Sequence, residues 1–292
     1  MHSVGLVLHP RRDSAAAVDA VLDWAAGRGV EILGIETELV RLNCAAVGVS
    51  PAELGRRADL LVSLGGDGTM LRAMRLADGQ RAPVLGVNLG KLGFLAEVDV
   101  PGLSGALSAI DGNEFTIEPR LAVDAVLGGR SVTAFNDVAV VRVPGDGSAV
   151  VAVRVAGHDF VSYAADAVIV ATPTGSTAYS FSAGGPITSP AVEALLVTPA
   201  APHSAYSRGV VLSVHDTLML DILPASGRLA VEVDGEVAGY VSPGDRIELC
   251  ARPAAARVVR LGRTTFYQRA RRKLRLTDSA EIPASSPDGA DA

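Results

Sequence analysis

The sequence has few aromatic residues and few cysteines. The first shortage limits which residues can form the core, and the second limits the cellular compartment. Phe, Tyr and Trp make up 4% of the 292 residues while 49% are hydrophobic, so Val, Ala and Leu must fill the cores. Cys44 and Cys250 lie far apart without the spacing of metal ligands. This cysteine usage favours a reducing, cytoplasmic compartment.

Long apolar runs and excess positive charge are also missing. No segment approaches the roughly 18 apolar residues that span a membrane, and the residues after Met1 lack the pattern of a signal peptide. The formal net charge is -6, whereas general nucleic-acid binding favours basic chains. We therefore expect a cytoplasmic protein that binds neither nucleic acid nor membranes.

Several catalytic motifs are absent as well. The sequence has no Gly-x-x-x-x-Gly-Lys-Ser/Thr loop, no Gly-x-Gly-x-x-Gly after a strand, and no Gly-x-Ser-x-Gly. The five histidines are scattered without a metal-ligand pattern. These absences argue against a Walker-type nucleotide loop, a redox dinucleotide fold, a serine hydrolase and a zinc enzyme.

Residues 1–113 predict an α/β domain with a parallel sheet. Short apolar runs at residues 4–8, 31–35, 60–65 and 83–87 alternate with helical patterns. Ser50-Pro51-Ala52-Glu53 has the spacing of a capping box with proline at the first helical position. Strands that alternate with helices favour a parallel sheet, which binds ligands at the carboxyl ends of its strands.

A glycine-rich loop follows the third of these strands. It consists of Gly65, Gly66, Asp67, Gly68 and Thr69. Glycines let the backbone approach a ligand closely, and the following helix start offers free amides and a positive dipole end to phosphate. A carboxylate there repels phosphate unless it binds a metal or accepts a proton. Asp67 is therefore a base or a metal ligand, and the alternative is a plain corner in which it caps the helix.

Other polar residues are predicted near this loop. Arg72 lies one helical turn further on, where we expect it to meet the ligand. The loop at residues 88–93 follows the next strand and should share the cleft, and its Lys91 either meets a phosphate or is solvated. His9 and Arg11 also follow a strand, but we interpret them as exposed turn residues.

Residues 114–263 predict a β-rich domain. Many short alternating runs favour a sandwich or barrel-like architecture, and Gly128-Gly129 is typical of a hairpin turn. Single strands are predicted at residues 132–143, 246–251 and 257–261. Residues 264–276 predict a helical segment that packs back on the first domain, and residues 277–292 a disordered tail. The helix contains Arg269, Arg271, Arg272 and Arg275, which we interpret as a solvated face.

Three polar segments interrupt the β-rich part. Asn136-Asp137 is either a strand-end turn or part of a site, and Asp234-Gly235-Glu236 is either a hairpin turn or part of a site. The third begins at Asp166 and continues through residues 171–186, where hydroxyls and glycines form a surface of donors and acceptors. Tyr179 offers a ring on which a base can stack. Together with the glycine loop, these segments suit phosphoryl transfer to a hydroxyl, which needs positioning, charge neutralisation and one proton acceptor.

These segments, in this order, resemble the bacterial NAD kinase family. Residues 65–69 match its signature, which diacylglycerol kinases share, and residues 86–95 its next block. Asn136-Asp137 resembles its Asn-Glu pair, with a side chain one methylene shorter. Residues 172–179 and 184–186 resemble its longest and most specific motif, and Asp234-Gly235 a later one.

The resemblance implies an α/β domain joined to a sandwich-like β domain and ATP-dependent phosphorylation of the adenosine-ribose 2'-hydroxyl of NAD+. Asp67 would accept the proton. The phosphoryl donor would be ATP accompanied by Mg2+, with polyphosphate as an alternative donor. The phosphate loop would comprise Gly65, Gly66, Gly68 and Thr69. The substrate-binding residues would be Asp67, Gly68, Arg72, Asn136, Asp137, Asp166, Thr174, Thr177, Ala178, Tyr179, Ser180, Phe181, Ser182 and Glu236. The resemblance also implies a cytoplasmic homodimer or homotetramer.

Two other functions fit the glycine-aspartate loop. A lipid or small-alcohol kinase would share the loop but should carry an apolar headgroup surface or a membrane-binding surface, and the sequence shows neither. A nucleotide sensor without catalytic activity would bind the same ligands, although the presence of Asp67 argues against it.

Overall fold

The computed structural model describes residues 1–42, 44–90, 93–203 and 205–276. Lys91 and the tail 277–292 lie outside the described residues, so the predictions for them stay predictions.

The chain forms strands and helices that alternate in its first third and is mainly strands thereafter. The strands are β1 (Ser3–Leu8), β2 (Glu31–Ile35), β3 (Val47–Val49), β4 (Leu60–Gly65), β5 (Val84–Asn88), β6 (Val98–Asp99), β7 (Thr116–Leu127), β8 (Arg130–Ala134), β9 (Asp137–Arg142), β10 (Ala149–Val155), β11 (His158–Ala165), β12 (Ala167–Ala171), β13 (Ala194–Ala200), β14 (Val210–Ser213), β15 (Leu218–Ile222), β16 (Leu229–Val233), β17 (Glu236–Val241) and β18 (Arg246–Arg260). The helices are α1 (Ala15–Ala25), α2 (Glu36–Leu39), α3 (Pro51–Arg57), α4 (Asp67–Ala77), α5 (Leu103–Asp111), α6 (Tyr179–Ser182) and α7 (Phe266–Leu274).

The predicted parallel sheet is present in the first third of the chain, with strand order β5-β4-β1-β2-β3. Its central strands are buried on both faces, which explains their continuous apolar runs. Helices α1 and α5 pack on one face through residues such as Val21 and Leu107. Helices α3 and α4 cover the other face through residues such as Leu54 and Met74. Ligands therefore have access at the carboxyl ends of β4 and β5.

The β-rich part forms a sandwich, and one of its layers continues the parallel sheet. Strand β18 pairs with β5 and extends the sheet through β15, β10 and β11, with β7 and β8 alongside. A second, antiparallel sheet has the order β14-β13-β12-β9-β16-β17. Apolar side chains such as Val140, Val151 and Leu220 fill the space between these layers. The predicted fold class is confirmed.

The structure corrects three of the detailed predictions. Residues 132–143 form two strands, β8 and β9, which belong to different sheets. Arg246–Arg260 form one strand with an irregularity between Arg252 and Ala256, instead of two separate strands. Arg269 is buried and contacts Glu97, so it does not belong to a solvated helix face.

No helix among the described residues is long and apolar enough to cross a membrane.

Candidate active site

The glycine loop joins strand β4 to helix α4, and its glycines have different reasons to be small. A β-carbon on Gly65 would lie 2.6 Å from Cβ of Thr69 and closer still to its hydroxyl, so folding itself requires this glycine. A β-carbon on Gly66 or Gly68 would meet nothing within 4 Å. The space above these two residues is open at a helix N-terminus, where phosphate is favoured.

Asp67 is the first residue of α4, and its carboxylate turns away from the helix start. The backbone amide of Phe94 donates to Oδ2 at 3.1 Å, and the amide of Leu95 donates to Oδ1 at 3.0 Å. Lys273, from α7, donates to Oδ2 at 2.9 Å. Asp67 therefore bonds to a neighbouring loop and to the last helix, which excludes the helix-capping interpretation.

A cleft of about 400 Å3 lies in front of this loop. Gly66, Asp67, Gly68 and Thr69 form one side, and Arg72 and Glu236 also line the cleft. The remaining lining residues are His9, Pro10, Arg12 and Arg75. Three guanidinium groups around a glycine loop make the cleft attractive to a phosphate chain.

His9 belongs to this cleft, in contrast to its interpretation as an exposed turn residue. Its Nδ1 accepts the backbone amides of Arg11 and Arg12, which fixes the ring. Burial lowers the pKa of His9, and the nearby arginines lower it further, so the imidazole is neutral near pH 7. Arg11 is exposed, in agreement with its interpretation as a turn residue, whereas Arg12 lines the cleft.

Arg72 is held by the protein beside the cleft. Its Nη2 donates to the carbonyl of Leu8 at 2.6 Å and pairs with Glu38 at 2.7 Å. Glu38 in turn accepts the amide of Leu8 at 2.8 Å. These contacts fix the guanidinium at the carboxyl end of β1, beside the cleft.

Arg75 connects the cleft to the Asn136-Asp137 segment through Asp234. It donates to Oδ2 of Asp234 at 2.8 Å, and the Asp234 carboxylate also accepts the backbone amides of Phe135, Asn136 and Asp137. Asp234 has φ of 50° and the following glycine 82°, so the segment is a hairpin turn as well. The hairpin interpretation of Asp234-Gly235-Glu236 is therefore confirmed: the turn joins β16 to β17, and its carboxylate orders the Asn136-Asp137 segment.

The carboxyl group of Asp137 is a weaker acid than an ordinary aspartate. Its residue is 4% exposed, and among the described residues no hydrogen-bond donor contacts the carboxylate. Burial, followed by the charges of Asp234 and Glu232, raises its pKa to about 7. Burial raises the pKa of Asp234 as well, but its four donors favour its ionised form.

The Thr/Ser/Gly segment packs directly against Asn136. A β-carbon on Gly175 would lie 2.8 Å from Cα of Asn136 and closer to its carbonyl. The carbonyl of Asn136 accepts the amide of Thr172 at 2.8 Å. Two predicted ligand-binding hydroxyls are already bonded inside the protein: Thr174 accepts from buried Arg120, and Ser180 pairs with Thr198. These two hydroxyls therefore stabilise the conformation of the segment.

Of the remaining predicted residues, Asp166 lies between β11 and β12, and the others lie at or just before the short helix α6. Tyr179 is half-buried, and burial raises its pKa, with further contributions from Glu232, Asp137 and Asp166. Asp166 is half-exposed and pairs with Arg142 at 2.6 Å. The others are partly or fully accessible: Thr177, Ala178, Phe181 and Ser182.

The predicted site residues thus fall into two linked groups. Residues 66–69, Arg72 and Glu236 share the cleft, whereas in the second group the charges of Asp137 and Asp166 contribute to the raised pKa of Tyr179. Sequence reasoning missed Arg12, Arg75 and Lys273. Arg75 follows Asp67 by two helical repeats of four, a spacing that could have identified it. No local signal pointed to Lys273.

A carboxylate beside a glycine loop, in a cation-lined cleft at the carboxyl ends of parallel strands, defines a phosphotransferase. Comparison with known sequences specifies which one. Residues 4–115 match the ATP-NAD kinase N-terminal domain, and residues 135–261 match the ATP-NAD kinase C-terminal domain. The chain belongs to the NAD kinase family.

Individual relatives agree with this assignment. NAD kinase 1 of Streptomyces avermitilis is 39% identical, over 98% of this chain and 90% of that protein. NAD kinase of Desulforamulus reducens is 39% identical, over 94% and 98% respectively. These levels of identity and coverage support NAD+ kinase activity.

Two solved structures share the fold. Yeast NADH kinase, complexed with NADH, has a TM-score of 0.83 and 24% identity, over 97% of this chain and 90% of that chain. An NAD kinase from Archaeoglobus fulgidus, in complex with ATP, has a TM-score of 0.73 and 25% identity, over 94% and 98% respectively.

Proposed function

We propose that Asp67 is the proton acceptor when this NAD+ kinase transfers the γ-phosphoryl group of ATP to the 2'-hydroxyl of the NAD+ adenosine ribose. The hydroxyl oxygen bonds to the γ-phosphorus, and the bond to the bridging oxygen breaks with its electron pair remaining on ADP. The hydroxyl proton passes to Asp67, and the product is NADP+.

The placement of Asp67 carries this proposal. Asp67 lines the arginine-lined cleft together with Gly66 and Gly68, the two loop glycines that have open space above them. Arg12, Arg72 and Arg75 supply positive charge for the donor phosphates, and the polar segments at Asn136 and Tyr179 supply surface for the dinucleotide. Asp67 thus lies next to the proposed phosphate path, as a base for the acceptor hydroxyl requires.

A divalent cation, Mg2+ by its usual association with ATP, would neutralise charge on the donor phosphates. The described residues contain no cluster of three or more His, Cys, Asp or Glu that could hold it. Oδ2 of Asp67 is also occupied by an ammonium group and an amide. We therefore assign the cation to phosphate oxygens of the donor.

The experiment is Asp67→Asn, assayed with NAD+ and ATP-Mg2+ and read out with an NADP-specific dehydrogenase. Asparagine keeps the size of the side chain but cannot accept the proton. We expect turnover to fall by about 10²-fold or more, while NAD+ affinity stays within several-fold. Turnover equal to that of the unsubstituted protein would remove Asp67 from this role.

The same assay separates the alternatives. Folded protein that binds NAD+ but makes no NADP+ would favour a sensor without catalytic activity. ATP consumption that depends on a lipid or small alcohol, and not on NAD+, would favour the other kinase class.

Assembly, compartment and domain boundaries are inferred from the resemblance. We infer a cytoplasmic homodimer or homotetramer. We also infer that each chain has domain boundaries near residues 113 and 263. Exposed apolar side chains such as Phe160 and Val211, which are 56% and 57% exposed, are available for subunit contacts. Light scattering after size-exclusion chromatography measures the subunit number.

A further inference from the structure

The last helix, α7, reaches the candidate active site across 206 residues of sequence. Nζ of Lys273 lies 2.9 Å from Oδ2 of Asp67 and 4.6 Å from the centre of the Phe94 ring. Phe94 also supplies one of the backbone amides that bind Asp67. Lys273 therefore holds both the carboxylate and the loop residue that binds it.

The hydrogen bonds are distributed unequally between the two carboxylate oxygens of Asp67. A carboxylate has about four acceptor positions, two on each oxygen. Oδ2 accepts from Phe94 and Lys273, whereas Oδ1 accepts from Leu95. With respect to donors from the part of the chain that the structure describes, the unused acceptor position therefore lies on Oδ1.

The helix is anchored so that Lys273 returns to this position. A capping box between Thr265 and Gln268 begins α7. Arg269, four residues before Lys273 and on the same helix face, is 3% exposed. It pairs with Glu97 at 3.5 Å and donates to the carbonyl of Thr264 at 2.8 Å. Glu97 belongs to the chain segment that carries Phe94 and Leu95, so helix and loop are fastened together.

Structural roles alone do not account for this lysine. Its side chain is 34% exposed and that of Asp67 28%, and ion pairs with such access to solvent contribute little to stability. A cation in the last turn favours the helix dipole, but Arg271 and Arg272 supply charge there as well.

We propose that Lys273 is a positioning residue for Asp67, occupying Oδ2 so that Oδ1 is the oxygen that receives the proton of the acceptor hydroxyl. This inference rests on the proposed function. It makes the C-terminal helix part of the active site, although the helix lies outside both matched family regions.

The test compares Lys273→Met, which keeps an apolar stem over Phe94 but removes the charge, with Arg272→Met on the exposed side of the same helix. Both variants change the net charge equally. We expect Lys273→Met to lower kcat by about 10-fold or more, the scale of a misplaced catalytic group, while KM for NAD+ and ATP stays within about 3-fold. Lys273→Arg should retain more activity than Lys273→Met, and Arg272→Met should match the unsubstituted protein.

Chemical rescue distinguishes positioning from folding. Ethylammonium added to Lys273→Ala should restore part of kcat, because a free ammonium can occupy the vacated position, whereas choline, which has no N–H donor, should not. Kinetics equal for Lys273→Met and Arg272→Met, or a loss in Lys273→Ala that ethylammonium leaves unchanged, would overturn the positioning role. Absence of NADP+ formation by the unsubstituted protein would instead refute the proposed function.

Discussion

Gly93 lies directly against the carboxylate of Asp67. A β-carbon at residue 93 would come 2.9 Å from Cγ of Asp67 and closer still to Oδ1. The two amides that bind the carboxylate follow immediately, on Phe94 and Leu95. A residue without a side chain is therefore required for the loop to approach Asp67 this closely.

Gly93→Ala should accordingly displace Asp67 and lower kcat by about 10²-fold, since a shift of about 1 Å can cost that much. The buried loop has little room to move, so a modest fall in melting temperature should accompany the loss. Gly105→Ala, in α5 with nothing within 4 Å of the added carbon, is the matched control and should stay fully active. Equal activity of the two variants would contradict the close approach.

The glycine loop allows folding and ligand binding to be tested separately. Gly65→Ala forces a carbon against Thr69, so the free energy of unfolding should fall by about 1–3 kcal/mol. Gly68→Ala meets nothing within 4 Å and lies in a helix, so stability should be kept or slightly raised. If donor phosphates fill that space, Gly68→Ala should raise KM for ATP or lower kcat. Urea unfolding and steady-state kinetics measure the two effects, and an active Gly68→Ala would place the phosphates elsewhere.

Asp137 should make stability fall as pH rises. Its pKa rises from 3.8 to about 7 on folding, so between about pH 4 and 7 the folded protein holds a proton that the unfolded chain has released. The stabilisation from this proton is complete below pH 4 and is lost as pH rises through 7, by up to about 4 kcal/mol. Asp137→Asn cannot ionise and should reduce the difference in unfolding free energy between pH 5 and 8. Asp159→Asn, at a carboxylate that is 87% exposed, is the control.

Tyr179 is predicted to bind the dinucleotide by stacking. Tyr179→Ala should raise KM for NAD+ by about 5-fold to 150-fold, the equivalent of about 1–3 kcal/mol for base–aromatic stacking. KM for ATP should change little. Tyr267→Ala removes an exposed ring from α7 and provides the comparison. An unchanged KM for NAD+ in Tyr179→Ala would rule out stacking at this residue.

Local patterns predicted the fold where each pattern stays within one element. The apolar run of β4, the glycine loop and α4 follow one another in sequence, and Gly128-Gly129 adopts positive φ between β7 and β8 as a hairpin requires. The sequence predicts two strands, at residues 246–251 and 257–261. The structure instead places Ala254 at φ of 52° in an irregularity that lets the strand continue.

Other features depend on partners that are distant in sequence. The apolar run at residues 132–143 conceals a change of sheet, because residues on both sides of the change are buried. The amide of Asn136 turns towards Asp234 instead of continuing one ladder. Similarly, burial of Arg269 and the approach of Lys273 to Asp67 follow from where α7 docks, which no periodicity within α7 specifies.

The strand pairing of β18 affects how the chain folds during synthesis. Strand β18 is the last strand of the described residues, yet it pairs with β5 of the parallel sheet at Val84, with β15 near its start and with β7 along its opposite edge. A nascent chain that has released the first 113 residues therefore carries an incomplete sheet border at β5, where another chain can add. Fragments that stop before residue 260 should aggregate on the ribosome or require a chaperone, and the enzyme should become protease-resistant in a single late event.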